Sequence, residues 1–473
     1  MLTFPKAFFR RLTGAGIEES TQLGILTFEA ARAMSRLVAL HRSINHSSIS
    51  VIRNTIAQST GVAYLNYSVS DKDRVLQIAC AEMLDELDQV GAIISRLSAR
   101  CVSAWPREFK HLYAAIKSGS DGGFKQKLGI PAKGLEGKVK KMESYVVCAT
   151  NLYSEMGVLS EMEASERRLE KWIDYSSPIP AGEGGNKERP PGADVFLKNI
   201  GLQRKLVRRL QDESVWSRNR DKILSLMGDA VVAMFLRICL VFGNHVAQLP
   251  AVKIDRNGKF KLFGKSTAWT GNMSGPLLSS KTGIEKNIDI TKFSGPLWLG
   301  RPPIPPSKAE SEIELTKWTA KTLSPNPASV GFAGLAIRYA DIIVHCEKIF
   351  QSPKYCSADE REDLYRMLPE SFRNILNEKL RRRRRRRSCT VDEVEKARRV
   401  LDWLSPMAHD TLKQLSENSY ENHNVDSSTD GKVYRFQTLH NSDHDKTQIV
   451  IVNVLLGLCS LFQNQNINED IRI

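Results

Sequence analysis

Seven consecutive arginines, Arg381, Arg382, Arg383, Arg384, Arg385, Arg386 and Arg387, are the residues of this chain whose type and spacing speak most directly of chemistry. A guanidinium stays charged at any physiological pH and pairs with carboxylate or phosphate. Seven in a row wrap every side of a helix, so the run is expected to stay out of the core and to repel itself. Such a cost points to an acidic partner outside the fold. A nuclear import receptor ranks first, nucleic-acid phosphate second and an anionic membrane third. No aromatic residue interrupts the run, so any contact with nucleic acid would be electrostatic and salt-sensitive. Ser388 follows directly and is a candidate phosphorylation site, where a phosphate would lower the local charge. The bland alternative is a solvated charge run with no dedicated partner.

Other constellations argue against chemistry. Gly258 to Ser266, GKFKLFGKS, comes near a phosphate-binding loop, but it holds five residues between its first glycine and the Gly-Lys-Ser instead of four. No helical pattern follows it, so nucleotide binding is not expected. His345 and Cys346 sit on or beside an apolar helical face, and His409, His440 and His444 show no zinc-like spacing. They read as packed or surface residues. No GxSxG frames a nucleophile. Acidic pairs such as Glu86/Asp88 and Glu360/Glu362 read as solvated helix faces. No catalytic residue, metal site or cofactor is expected.

The elements around these residues are helical by pattern. Leu23, Leu26, Ala30, Ala33, Leu37, Leu40 and Ile44 fall at steps of three and four, which places them on one helical face. Leu76, Cys80, Met83, Leu87, Val90, Ile94 and Leu97 do the same over 71–99, and Leu135, Val139, Met142, Val146, Ala149, Tyr153 and Met156 over 134–173. These seams suit packing inside one bundle better than a coiled coil to a partner. A helical pair follows at about 195–215 and 219–247. From Val330 an apolar helix is expected to run to Ile349, with Ala333, Ile337, Ala340 and Val344 on its inner face. Ser357 to Glu360 and Thr390 to Glu393 each read as a capping box. Pro406 is expected to interrupt the helix that the second of these opens, and a last helix spans about 444–463. The organisation expected is all-α, with two helical-bundle regions joined by a long disordered basic linker. A flexible N-terminus, 1–21, precedes a helical domain, 22–173, and a linker, 174–194. A helical pair, 195–247, precedes the Gly/Pro/Ser/Lys-rich linker, 248–328, where AVKIDRNGKFKL could turn as a hairpin at Asn257-Gly258. A helical domain, 329–463, and a tail, 464–473, complete the chain.

Charge and composition bound the functional classes. Hydrophobic residues make up 41% of the chain, enough for real cores, and the net charge is +15. That charge is concentrated: seven units lie in the arginine run, and 251–328 carries twelve Lys/Arg against six Asp/Glu. Eight scattered cysteines without a CxxC pair suit reduced, intracellular thiols. The opening MLTFPKAFFRRL lacks the apolar core of a signal peptide, and Leu2 stands where N-myristoylation needs glycine. Ile223–Phe242 holds Asp229 and Arg237, and Ile449–Phe462 is short for a bilayer. Both are expected as buried core helices, and the chain as a protein of the nucleus, the cytoplasm or both.

Several blocks resemble one plant family, the phytosulfokine-simulator-like proteins. They include LGILTFEAARAMSRLVALHRSI (23–44), KVKKMESYVVCATNLYSEMGVLSEME (138–163) and GLAIRYADIIVHCEKI (334–349). DLYRMLPESFRNILNEKLR (363–381), LDWLSPMAHDTLKQLSENSYE (401–421) and FQTLHNSDHDKTQIVIVNVLLGL (436–458) continue the series. LYRMLP and LDWLSPMAH carry the specificity, and LSPMAHDTLKQ is similar to the shorter branch. The resemblance implies two helical domains of unknown function and a non-enzymatic growth and signalling regulator. Such a regulator would act as a helical protein-interaction scaffold, in part in the nucleus, with other proteins as partners. The arginine expansion departs from the family pattern. The rival expectation is a protein that binds nucleic acid or an anionic membrane surface through the arginine run and the basic linker.

Overall fold

The computed structural model describes residues 18–44, 59–66, 72–119, 134–176, 192–263, 308–386, 391–417 and 433–470, with gaps at 100, 102, 214, 257 and 354–355, and four positions between 49 and 54. In chain order the N-terminal helices are α1 (Glu18–Ser43), α2 (Thr60–Leu65), α3 (Lys72–Ser98), α4 (Ala104–Lys117), α5 (Gly134–Ser176), α6 (Ala193–Glu213) and α7 (Val215–Phe242). A hairpin of β1 (Ala251–Ile254) and β2 (Phe260–Phe263) follows, then α8 (Lys308–Leu323). The C-terminal helices are α9 (Ala336–Gln351), α10 (Ala358–Met367), α11 (Glu370–Arg386), α12 (Val391–Glu417) and α13 (His444–Asp470), the last preceded by 3-10 turns at Arg435–Gln437 and Leu439–Asn441. The chain is all-α apart from the one hairpin among the described residues.

The apolar seams of α1, α3 and α5 face one core, as expected. All seven seam residues of α3 are buried, with Ala30, Ala33, Leu37 and Leu40 of α1, Ile44 just past its end, and Leu135, Val139, Met142, Val146 and Ala149 of α5. The most apolar helix, α7, fills the middle and packs on α1, α3, α4 and α5. Two helices, Arg220–Phe242 and His444–Gln463, are long and apolar enough to cross a membrane, and 72% and 50% of their apolar windows are buried in this fold. The charges in α7 are accommodated: Asp229 takes an ion pair from Lys138. Asp221 accepts a hydrogen bond from the backbone N–H of Ser103, at 2.8 Å, just before α4. The hydroxyl of Ser103, together with that backbone bond, holds the Asp221 carboxyl down to about 2.

The hairpin forms at the expected place. Val252 pairs with Leu262 and Ile254 with Phe260, and Gly258 takes φ +70° in the turn, a value that costs glycine little. Gly258 of the near phosphate-binding loop is therefore a hairpin residue, and Gly264 to Ser266 lie outside the described residues. Residues 264–307, most of the expected linker, also lie outside them. Beyond that stretch, α8 packs on α3 and α4. Lys117 is buried there: its Nζ donates to Asp88 Oδ2 at 2.8 Å and to Thr316 Oγ1 of α8 at 3.4 Å. At the other end of the chain, residues 464–470 continue α13.

In the C-terminal half α12 packs on both α9 and α13. Two expectations change. The stretch from Val330 is not helical from its start: 330–334 is a turn, with Gly334 at φ +69°, and α9 begins at Ala336. The buried face of α9 is Tyr339, Ala340, Ile342, Ile343, Cys346, Ile349 and Phe350, while Ile337 is exposed. α12 runs unbroken through Pro406. Buried Leu404, Met407 and Ala408 on either side outweigh the lost backbone bond. The expected box at Thr390 to Glu393 lies in part outside the described residues, since Thr390 is not among them. The Ser357 box is present, with Glu360 N–H donating to Ser357 Oγ at 3.1 Å and Ser357 N–H to Glu360 Oε2 at 2.9 Å.

Candidate anion-binding helix end and the interdomain strap

Helix α11 carries Arg381 to Arg386 as its last turn and a half. Cations at a helix C-terminus meet the negative end of the helix dipole, which supports such a run locally. Arg381 and Arg382 are exposed. Arg382 pairs one turn back with Glu378. Arg383 does not follow the expectation that none of these side chains is buried. Its side chain is only 13% exposed and its Nη2 lies 3.1 Å from Glu393 Oε2 at the start of α12. Ser460 Oγ of α13 donates to the same oxygen at 3.0 Å. This three-helix junction depends on a close approach of α12 and α13: a Cβ on Gly457 would sit 2.3 Å from Ala397 Cβ and 3.1 Å from Glu393 O. The expected self-repulsion is thus partly relieved inside the molecule, because two of the three arginines with described side chains face a carboxylate. Residues 384–386 are helical, while Arg387 and Ser388 lie outside the described residues.

The second constellation has no counterpart in the sequence reading. Residues 436–444, FQTLHNSDH, form a strap laid between the two halves of the chain. Ser442 bridges to Asn66 at the end of α2, and Asp443 to Ser329 ahead of α9. Backbone bonds run both ways: Asp443 N–H to Leu65 O at 2.9 Å, Val330 N–H to Ser442 O at 2.9 Å, Gly331 N–H to His440 O at 3.0 Å and His444 N–H to Ala328 O at 2.9 Å. Asn66 donates through Nδ2 to Phe436 O and accepts from Ser442 Oγ through Oδ1. Asp443 caps α13, accepting from Lys446 N–H at 2.7 Å. Upstream, Arg435 N–H donates to Glu82 of α3 at 2.8 Å, and Leu439 N–H to Thr411 Oγ1 of α12 at 3.0 Å. Ser329, Thr438, Ser442, Asp443 and Asn66 are all buried. Buried polar groups of this kind are tolerable only when bonded: Asn66, Ser442 and Asp443 bond across segments, while Thr438 and Ser329 are satisfied within their own turns. Burial, helped by the charge of Arg435, holds His440 below the usual histidine pKa. Beside it, burial pushes the phenol of Tyr339 up to about 12, and its hydroxyl lies 3.2 Å from His444 Nε2.

The two constellations together contain no arrangement of nucleophile, base and oxyanion donors. Among the described residues no group of three or more His, Cys, Asp or Glu could hold a metal ion. His409 Nε2 lies 2.6 Å from Glu347 Oε2, an exposed tie between α12 and α9. The Asn66–Ser442 contact joins residues 376 apart, and neither a short motif nor helical periodicity marks it. The one available signal was the run of small polar residues TLHNSDHDKT immediately before an apolar helix.

Two family models match the chain. A domain of unknown function (DUF3475) matches residues 25–83 and a protein of unknown function (DUF668) matches 329–413. The strap lies outside both and touches both. Among curated proteins the chain is similar to Protein PSK SIMULATOR 1 of Arabidopsis thaliana, 22% identical over 93% of this chain and 56% of that protein. It is similar also to Protein PSK SIMULATOR 3 (22%, 93% and 56%) and Protein PSK SIMULATOR 2 (21%, 96% and 62%) of the same plant. The chain spans somewhat more than half the length of these relatives. No solved structure matches it. Both domains of unknown function occur in order and no enzyme family is indicated; along nearly its whole length the chain is similar to the PSK-simulator proteins.

Proposed function

We propose that this protein is a regulator of plant growth signalling that works as a rigid helical scaffold for other proteins, in part in the nucleus. The observation that carries the reading is the strap. It makes one body of the two family domains, so that a surface built from both keeps a constant shape. Rigidity of that kind favours binding, because little ordering entropy is lost on association. Similarity to proteins named PSK SIMULATOR supports the growth-related role. In this reading Arg381 to Arg387 serve an import receptor. Replacing all seven by Gln should shift a fluorescent fusion toward the cytoplasm, and an unchanged nuclear signal would remove import from the proposal.

A second reading is favoured by the exposure of Arg381 and Arg382 on a helix end: the same charges hold nucleic-acid phosphate or an anionic membrane. Affinity would then fall steeply with salt, by a slope of about 0.9 per duplex phosphate neutralised. Absence of retention on DNA, RNA or anionic vesicles at low salt would eliminate it.

A further inference from the structure

Helix α6 packs chiefly on α5 and only slightly on α7, at the edge of the main bundle. With the outer half of α5 it forms a two-helix arm around a small separate core of Leu152, Leu159, Ile200 and Val207. Arg204 secures the arm, pairing with Glu163 at 3.3 Å and Glu166 at 2.6 Å. Ile200 and Val207 face α5, which turns another stripe of α6 to solvent. That stripe steps by three and four residues through Val195, Lys198, Leu202, Lys205 and Arg209. Val195 and Leu202 are 64% and 56% exposed, among the most exposed large apolar side chains of the described residues. Between Val195 and Gln211 the helix carries five Lys/Arg and no Asp/Glu. An exposed helix face that is apolar at every second turn and cationic between is complementary to one kind of surface: an apolar groove rimmed by carboxylates. A lipid surface would ask for a continuous apolar stripe, and here Lys198 falls between the two apolar anchors.

We infer that the outer face of α6, seated on α5, is a docking site for an acidic protein with an apolar helix-binding groove of the calmodulin type. Leu202 is the central anchor, Val195 the second, and Lys198 and Lys205 meet the acidic rim, while Arg209 pairs with Glu213 in the same helix. The inference is independent of the arginine run on α11.

The test is calorimetric titration of the full chain with calcium-loaded calmodulin as the acidic-groove probe, at low and high salt, with phosphatidylserine vesicles in parallel. Saturable binding is expected that weakens with salt and disappears when calcium is chelated and the groove closes. Leu202→Glu combined with Lys205→Glu should weaken it at least tenfold. The urea midpoint should stay unchanged, because both side chains are exposed. Lys198→Glu combined with Lys205→Glu, which leaves every apolar contact intact, should weaken it in the same direction. Arg381→Gln with Arg382→Gln should leave it unaltered. No binding to calmodulin, wild-type binding by both arm variants, or loss through the Arg381/Arg382 pair alone would overturn the inference. So would arm-dependent binding to vesicles in place of calmodulin.

Discussion

Replacing Gly331 by alanine strikes the strap where it meets the second family domain. An added Cβ would lie 2.4 Å from His440 O, 2.6 Å from His440 Nδ1 and 2.7 Å from its Cγ. The first of these is backbone, tied on both sides by the strap's own hydrogen bonds, so it cannot swing away. Either the 330–334 turn or the strap must retreat, which stretches the 3.0 Å bond from Gly331 N–H to His440 O. Overpacking of a tight site costs about 1–3 kcal/mol, and a weakened backbone bond adds about 1 kcal/mol. The expected destabilisation is therefore about 2–4 kcal/mol, read as a lower urea midpoint. Limited proteolysis should also cut within 433–443 earlier than in the wild type. Gly137→Ala is the matched control. It is helical with nothing within 4 Å of its Cβ, and alanine there should stabilise by about 0.5–1 kcal/mol. Equal midpoints for Gly331→Ala and the wild type, or a shift of the same sign in both variants, would refute the strap as the element that fastens the halves.

Further outcomes follow from the same geometry. Arg383→Gln should destabilise by about 1–3 kcal/mol, between the values for exposed and buried pairs, while Arg381→Gln should leave the denaturation curve within about 0.5 kcal/mol of wild type. Equal effects of the two would show that α11 does not hold the register seen here. Burial holds His440 and His41 below their usual value of 6.5. The unfolded chain then binds more protons, so stability should fall as pH drops below about 6.5, and His440→Gln should flatten part of that fall in denaturation curves taken on either side of it. Among the described cysteines, thiol labelling of the native protein should find Cys148 first, since it is exposed. Cys80, Cys239 and Cys346, buried with thiols pushed up in pKa, should label only on unfolding; prompt labelling of any of the three would contradict the packing described.

The helical character of the chain was legible because helical burial has a period. Leu76 through Leu97 repeat it without a break, and a run of that length suits few other conformations. Where a single local signal stood for a helix boundary, packing decided. Pro406 reads as a break in isolation, but its helix is clamped between α9 and α13 and runs straight through. Ala333 and Ile337 fit an apolar stripe, yet the turn at Gly334 resets the phase, and Tyr339 and Ile343 take the inner face.

What the sequence by itself determined is thus the set of helices, their inner faces at the regular positions, and the presence of a cationic run too long to be accidental core. What only the tertiary structure decided is which of those arginines turns inward, and that residues 436–444 join Asn66 to Ser329. The reason is physical: periodicity is a property of neighbours along a chain. Arg383 meeting Glu393, or Ser442 meeting Asn66, depends on how whole helices cross, and on glycines such as Gly457 and Gly331 that let them come close.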